Sequence, residues 1–289
     1  MPTCTAPLVT VITAYYNRPE YIRESIESAL AQTHAPVEVI VVDDGSTEDA
    51  HRVLRAIPGT TIIRQPNAGV AAARNRGLAA ARGEYVIFLD HDDRLMPDAI
   101  VSHLRAIQSD ATPAKSKSGK PKAGLVFGAL RQIDGAGQIK SAPYVCAPRR
   151  NYFLSMLQGN PIHCPAAAMI LREAMLAVGG MDPDVAPGDD LDLYLRIARQ
   201  YRVVRHTDLT AEYRLHSENV SHNYAKMMRA TERVLDKVER TMILSPSERR
   251  SLKMGRARAA LYYGGQNTIL QKAQLSYFRL RSLLQMSIF

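Results

Sequence analysis

The chain holds only three cysteines in 289 residues, Cys4, Cys146 and Cys164. They lie far apart and form no C-x-x-C spacing, which excludes a zinc ribbon or redox pair of the usual kind. Long hydrophobic runs are missing as well. No stretch approaches the roughly 18 apolar residues that would suggest a membrane span. Residues 1–8 lack the basic-then-apolar order of a secretion signal, so a cytoplasmic protein is expected. The chain has no G-x-x-x-x-G-K-[ST] loop and no G-x-G-x-x-G turn after its first apolar run. These absences argue against an ordinary kinase or dehydrogenase. No G-x-S-x-G nucleophile elbow occurs either.

What remains is an ordinary globular balance, 46% hydrophobic and 22% charged. The length suits one large domain, or one domain with a tail, and is ample for a substantial core. Net charge is +9 and unevenly spread. Residues 222–289 carry 13 Lys and Arg against 4 Asp and Glu, while the rest of the chain is balanced at 24 of each. Such asymmetry suits either an anionic partner for the tail or simply solvated helix faces.

The first hundred residues alternate between two patterns. Residues 8–14 (LVTVITA), 37–42 (VEVIVV), 60–64 and 84–89 (EYVIFL) read as strands. Between them, residues 19–33, 47–57 and 70–82 read as helices, and Pro97 opens another. Such alternation of helices with near-continuous apolar strands predicts a mostly parallel α/β sheet with helices on both faces. Ligands of such sheets bind beyond the carboxyl ends of the strands. The polar clusters Tyr15-Tyr16-Asn17, Asp43-Asp44 and Asp90–Asp93 each follow a strand, so all three are expected at one edge.

The stretch after Gln108, rich in Ser, Lys, Pro and Gly, reads as a loop. Residues 125–133 and 138–144 suggest a hairpin, 150–157 a short helix and 166–171 a buried strand. A helix is expected over 190–201, then strands over 201–207 and 211–216. The tail reads as helical, broken near Ser245-Pro246 and Gly264-Gly265, with an apolar stripe of Leu270, Ala273, Tyr277, Leu280 and Leu284.

Asp90, Asp92 and Asp93 place three carboxylates within four residues. At the end of an apolar strand such mutual repulsion calls for a cation. Mg²⁺ and Mn²⁺ take oxygen ligands and commonly bridge a carboxylate to substrate phosphates. A solvated turn capping the next helix is the competing explanation. Asp44 can accept hydrogen bonds from a base or ribose, or form an Asx-turn. Residues 67–69 precede a helix whose N-terminal N–H groups would attract diphosphate, with Arg74 adding charge. Asp189 and Asp190 sit at a helix start, where spacing alone favours a cap over a general base. His216 ends a strand, and its claim depends on meeting the acidic cluster in space.

Taken together, residues 8–22 (LVTVITAYYNRPEYI), 37–47 (VEVIVVDDGST), 67–83 (NAGVAAARNRGLAAARG) and 84–97 (EYVIFLDHDDRLMP) resemble the family 2 glycosyltransferases of the Rossmann-like GT-A fold. Residues 188–193 (GDDLDL) are similar to that family's Glu/Asp-Asp segment, with Asp189 where Glu is more usual. Residues 213–221 (YRLHSENVS) are similar to its closing segment. The resemblance implies a GT-A catalytic domain over 1–221, with a nucleotide-binding half near 7–110 and an acceptor half near 123–221. A basic helical extension, 222–289, would follow. It implies that Asp44 binds the nucleotide base with Tyr16 packed nearby, and that Arg74 helps hold the donor. Asp90 would lie near the ribose, Asp92 and His216 at the metal, and Asp190, or its neighbour Asp189, would be the base.

The implied enzyme inverts the sugar while moving it from a nucleotide-sugar to an acceptor hydroxyl, in polysaccharide, glycolipid or glycoconjugate assembly. A UDP-sugar is the expected donor, and Mn²⁺ or Mg²⁺ the expected cofactor. The acceptor would be a sugar, a lipid-linked sugar or a glycan. An anionic membrane surface is a candidate partner for the basic tail, which would put the protein at the inner face of the membrane. A homodimer is a further candidate, and nucleic acid is disfavoured. An inactive nucleotide-sugar-binding module is opposed by the intact acidic cluster and Asp190. A nucleotidyltransferase would need a Gly-rich basic loop where Tyr15-Tyr16-Asn17-Arg18 stands.

Overall fold

The computed structural model describes residues 6–110, 122–146 and 151–264. Cys4, the centre of the Ser- and Lys-rich stretch and the stripe from Leu270 to Leu284 lie outside the described residues. The first half contains β1 (Val9–Tyr15), α1 (Pro19–Leu30), β2 (Val37–Asp43), α2 (Glu48–Arg55), β3 (Thr61–Arg64), α3 (Val70–Ala80), β4 (Tyr85–Phe88), β5 (Arg94–Leu95) and α4 (Ala99–Asp110). The second contains β6 (Ala123–Asp134), α5 (Tyr152–Met156), β7 (Ala168–Leu171), α6 (Arg172–Ala177), α7 (Asp189–Gln200), β8 (Arg202–Leu215), α8 (Tyr224–Thr241) and α9 (Pro246–Gly264).

Among the described residues the strands form one sheet in the order β3-β2-β1-β4-β7-β6-β8-β5. β3, β2, β1 and β4 run parallel, as do β6 and β8, while β7 and β5 run against their neighbours. Alternation along the strands sends side chains to opposite faces. Val9, Val11, Val39, Val41, Ile87 and Leu89 pack with Ile22 and Ile26 of α1, Leu54 of α2 and Ile100 of α4. Ile12, Ile40, Val42, Val86 and Phe88 pack on the other face with Leu78 of α3, Leu195 of α7 and Val234 of α8. Helices therefore cover both faces, as the continuous apolar strands require.

The expected hairpin after β6 is present: Tyr144 and Leu130 exchange backbone hydrogen bonds at 2.8 and 3.0 Å, and the Asp134 N–H donates to the Gln138 carbonyl at 2.9 Å. Its returning limb makes only isolated bridges. The two strands expected over 201–216 are one long strand, β8, whose pairing with β6 slips in register around Phe127–Leu130. Gly128 sits in that irregular stretch. A Cβ there would stand 2.6 Å from both His206 Cε1 and Thr210 Cγ2, so the close approach needs glycine. α8 and α9, the described part of the expected helical extension, pack onto the rest of the chain. Ala230, Val234, Leu235, Val238 and Leu252 are buried, and all but Ala230 belong to the core beneath α7. Lys237 ties α8 to the start of α7, 2.6 Å from Asp182 and 2.9 Å from Asp192.

Candidate active site

The register of the parallel strands brings Tyr15 and Asp43 level with each other, and Ile12 level with Phe88. The chain leaves β1, β2 and β4 on one edge, so the three polar clusters meet there as expected. Asn17 takes a left-handed conformation (φ 51°), which asparagine tolerates. Its Oδ1 accepts the Thr47 N–H at 2.7 Å, locking the turn after β1 to the turn after β2. Tyr16, next to this lock, is 48% exposed at the edge.

Asp44 is buried and binds inward. Its carboxylate accepts Ala68 N–H at 2.9 Å, Gly69 N–H at 2.8 Å and Gln65 Nε2 at 2.7 Å. Two amide donors expected to be open to diphosphate at the start of α3 are thus held by an internal anion, a favourable placement at a helix N-terminus. Two carboxylate oxygens offer about four acceptor positions, so capacity for a further donor remains.

Arg74, from α3, is the hinge of the site. It is 6% exposed and its guanidinium forks between Asp90 Oδ1 at 2.6 Å and Asp189 Oδ2 at 3.0 Å. It also lies over the Phe88 ring, 5.6 Å from the centroid. Burial opposes its charge, but Asp90 and Asp189 outweigh burial and push its pKa above the ordinary guanidinium value. One cation therefore joins the end of β4 to the start of α7, segments a hundred residues apart in sequence.

The three carboxylates at the start of α7 have separate surroundings. Gly188 takes the cap position, and no side chain caps the helix there. Asp189 is buried against Arg74. Asp192 is buried against Arg196 and Lys237. Asp190 alone stays partly exposed. It accepts Asn160 Nδ2 at 2.9 Å and the Leu191 N–H at 2.7 Å. Crowding by protein, then the charge of Asp189, push its pKa up to about 7, against the opposing pull of Arg74 and the Leu191 amide.

The acidic cluster also divides. Asp93 turns inward, accepting Arg214 N–H at 2.8 Å and Cys164 Sγ–H at 3.0 Å. Burial, then Asp92 and Asp90, hold its carboxyl well above the usual range. Asp92 faces the other way, with Oδ2 2.8 Å from His216 Nε2. The His216 ring stacks on Tyr21 at 5.6 Å between centroids. Behind them Arg214 is 1% exposed, donates to the Asp92 carbonyl at 2.7 Å, pairs with Glu24 and lies 4.5 Å from the Tyr21 ring centroid. Among the described residues no group of three or more His, Cys, Asp or Glu side chains is placed to hold a metal ion. The Asp92–His216 pair offers two donors, which suits a divalent cation whose other ligands come from phosphate and water.

Comparison with known proteins follows the same lines. The profile of glycosyl transferase family 2 matches residues 10–176. The putative teichuronic acid biosynthesis glycosyltransferase TuaG of Bacillus subtilis (strain 168) is 30% identical over 240 residues, which is 81% of this chain and 89% of that protein. The chain belongs to glycosyl transferase family 2. It is a nucleotide-sugar glycosyltransferase. Chondroitin synthase of Escherichia coli is 31% identical to it over 222 residues, covering 74% of the chain but only 30% of the synthase. Among solved structures, S. aureus TarS 1-349 in complex with UDP-GlcNAc matches with a TM-score of 0.69 at 15% identity, over 92% of this chain and 78% of that one. The mannosyltransferase PcManGT of Pyrobaculum calidifontis, in complex with GDP-Man and Mn2+, matches with a TM-score of 0.58 at 20% identity, over 98% and 84%. At these identities the likeness is one of fold, and the glycosyltransferase has the Rossmann-like GT-A architecture.

Asn160, Glu24 and Tyr21 were not singled out from the sequence. Glu24 and Tyr21 occupy exposed-looking positions of an amphipathic helix, and Asn160 follows a glycine in a loop. None sits at a strand end, the signal that marked Asp44, Asp90, Asp92 and His216.

Proposed function

We propose that this glycosyltransferase uses Asp190 as its general base and the Asp92–His216 pair to seat a divalent cation, Mn²⁺ or Mg²⁺, with a UDP-sugar as donor. The observation that carries the reading is the Arg74 fork, which draws the end of β4 and the start of α7 into one site. Asp189 is committed to Arg74, whereas Asp190 is partly exposed and is poised near neutral pH, where a general base works best. Tyr16 offers an exposed ring for the base, and Asp44 has acceptor capacity left. Asp90, which follows β4 at the same edge of the sheet, is the partner for the ribose. The cation, when bound, offsets charge developing on the leaving diphosphate. Asp190 takes the acceptor hydroxyl proton as the oxygen attacks the anomeric carbon. The nucleoside diphosphate leaves from the opposite side, which inverts that carbon.

The names of the relatives, a teichuronic acid enzyme and a chondroitin synthase, support an acceptor that is a growing polysaccharide. No helix among the described residues is long and apolar enough to cross a membrane. The basic surplus of 222–289 fits attachment to an anionic membrane surface at its cytoplasmic face. Salt-sensitive sedimentation with anionic but not neutral vesicles is the expected result. Equal recovery with both would remove the attachment.

The test of the catalytic reading is a panel of UDP- and GDP-sugars, each with Mn²⁺ or Mg²⁺ and no acceptor, read as released nucleoside diphosphate. Metal-dependent release from one donor is expected, lost in Asp92→Asn. Release from every donor without metal, or from none, defeats the assignment.

A further inference from the structure

The chain has no tryptophan and 13 tyrosines, so an aromatic surface for a sugar must come chiefly from tyrosine. Three of these tyrosines gather where α8 begins and α9 ends. Tyr224 lies 6.2 Å from both Tyr262 and Tyr263 between ring centroids, and Tyr262 stands edge-on to Tyr263 at 4.9 Å. Tyr262 is 46% exposed, while Tyr224 and Tyr263 are half-buried. We propose that these rings form a platform for a pyranose unit of the acceptor.

Position is the first argument. α8 passes the start of α7: a Cβ at Gly188 would stand 3.0 Å from Val234 Cγ2 and 3.4 Å from the Ala230 carbonyl oxygen, and Lys237 lies 2.9 Å from Asp192. Running back from Ala230 to Tyr224, α8 extends past the start of α7, the end that bears Asp190, so the cluster lies at the end of that helix where an acceptor hydroxyl must arrive. This rests on Asp190 being the base. The nucleotide is assigned to the edge of β1, β2 and β4, which leaves the aromatic ends of α8 and α9 to the acceptor.

Rigidity is the second argument. α9 is seated close on the loop that serves Asp190. A Cβ at Gly255 would stand 1.9 Å from the Leu157 carbonyl oxygen, and Gln158 Nε2 donates to Ser251 Oγ at 3.2 Å. Asn160, two residues on, holds Asp190. The helix that carries the rings thus also braces the base.

Chemistry is the third. A pyranose has an apolar C–H face and a rim of hydroxyls. Tyrosine joins an apolar ring to a polar tip, and ligand sites pair aromatic walls with a few polar groups.

The test is saturation-transfer NMR with a panel of methyl pyranosides of glucose, galactose, N-acetylglucosamine and glucuronic acid, on the full chain with UDP and Mn²⁺ present. Saturation of the tyrosine rings should pass to the C–H protons of at least one glycoside. Its affinity should fall about fivefold to tenfold in Tyr262→Ala and in Tyr263→Ala, and stay within about twofold in the corresponding Phe variants. Unchanged binding in both Ala variants, or no transfer to any glycoside, overturns the platform. Thermal shift by UDP with Mn²⁺ in the same samples separates the two ideas. If that shift is present and the glycosides fail, the platform alone is wrong. If wild type shows no such shift, the nucleotide-and-metal reading fails first.

Discussion

Arg74 is one cation shared by two carboxylates, and both depend on it. Removing it leaves Asp189 buried without a counter-charge. Arg74→Met should therefore cost about 3–5 kcal/mol, read from urea unfolding. Arg74→Lys should recover only part, because an ammonium cannot fork between Asp90 and Asp189. Asp190 makes a different prediction. Its pKa, near 7, lies above the ordinary aspartate value: burial, then Asp189, raise it, Arg74 opposes them, and Asn160 is hydrogen-bonded to it. Transfer should rise with pH as Asp190 loses its proton around 7. Stability should move the other way. Between the usual aspartate value and about 7 the folded chain keeps a proton that the unfolded chain has lost, so this contribution is present at low pH and fades as pH climbs through 7. Asp190→Asn should flatten that slope and lower turnover about 10²–10⁴-fold, with donor binding unchanged. An equal pH slope in the mutant would move the proton elsewhere. The residues of this site were legible in the sequence wherever a carboxylate ended an apolar strand. Separating Asp189 from Asp190 was not, because only the folded chain shows that Arg74 takes the first.

At the scale of elements, the parallel half was readable because each strand is an apolar run bounded by turn residues. β5 was not, since Arg94–Leu95 is a two-residue edge whose pairing with β8 exists only once the sheet has closed. β8 read as two strands with a break at 208–210, whereas the chain runs on through that stretch and the slip opposite Gly128 takes up the extra residues. The start of α7 looked like an aspartate cap, yet Gly188 takes that place and frees the carboxylates for other partners. The seat of α9 was equally hidden: Gly255 is one glycine in a polar helix until Leu157 is seen against it. Gly255→Val should force α9 off α5 at a cost of about 1–3 kcal/mol. Hydrogen exchange should then quicken along α9 and around Asn160, while the β1–β4 strands stay protected. Uniform quickening would mean that α9 does not act as a separate seat.

Across the whole molecule, the site is closed by two contacts from the same short segment after β4. Asp90 reaches Arg74 and, through it, α7; Asp92 reaches His216 at the end of β8. The early parallel strands thus hold the later elements around one edge, and a ligand bound across that edge should stabilise the entire chain. The proposed cation seat draws only two donors from the protein, Asp92 and His216, so a cation alone should bind weakly. The phosphates of a nucleotide would complete its coordination. Mn²⁺ alone and UDP alone should each raise the melting temperature little, and the two together should raise it by more than their sum. At a hundredfold excess over the dissociation constant the added stability is about 2.7 kcal/mol. Asp92→Asn should abolish the synergy while leaving the small effect of UDP in place. His216→Ala should weaken it, since one of two protein donors remains. Full synergy in the Asp92 variant would place the cation away from β4, and the closing contact between Asp92 and His216 would then serve structure alone.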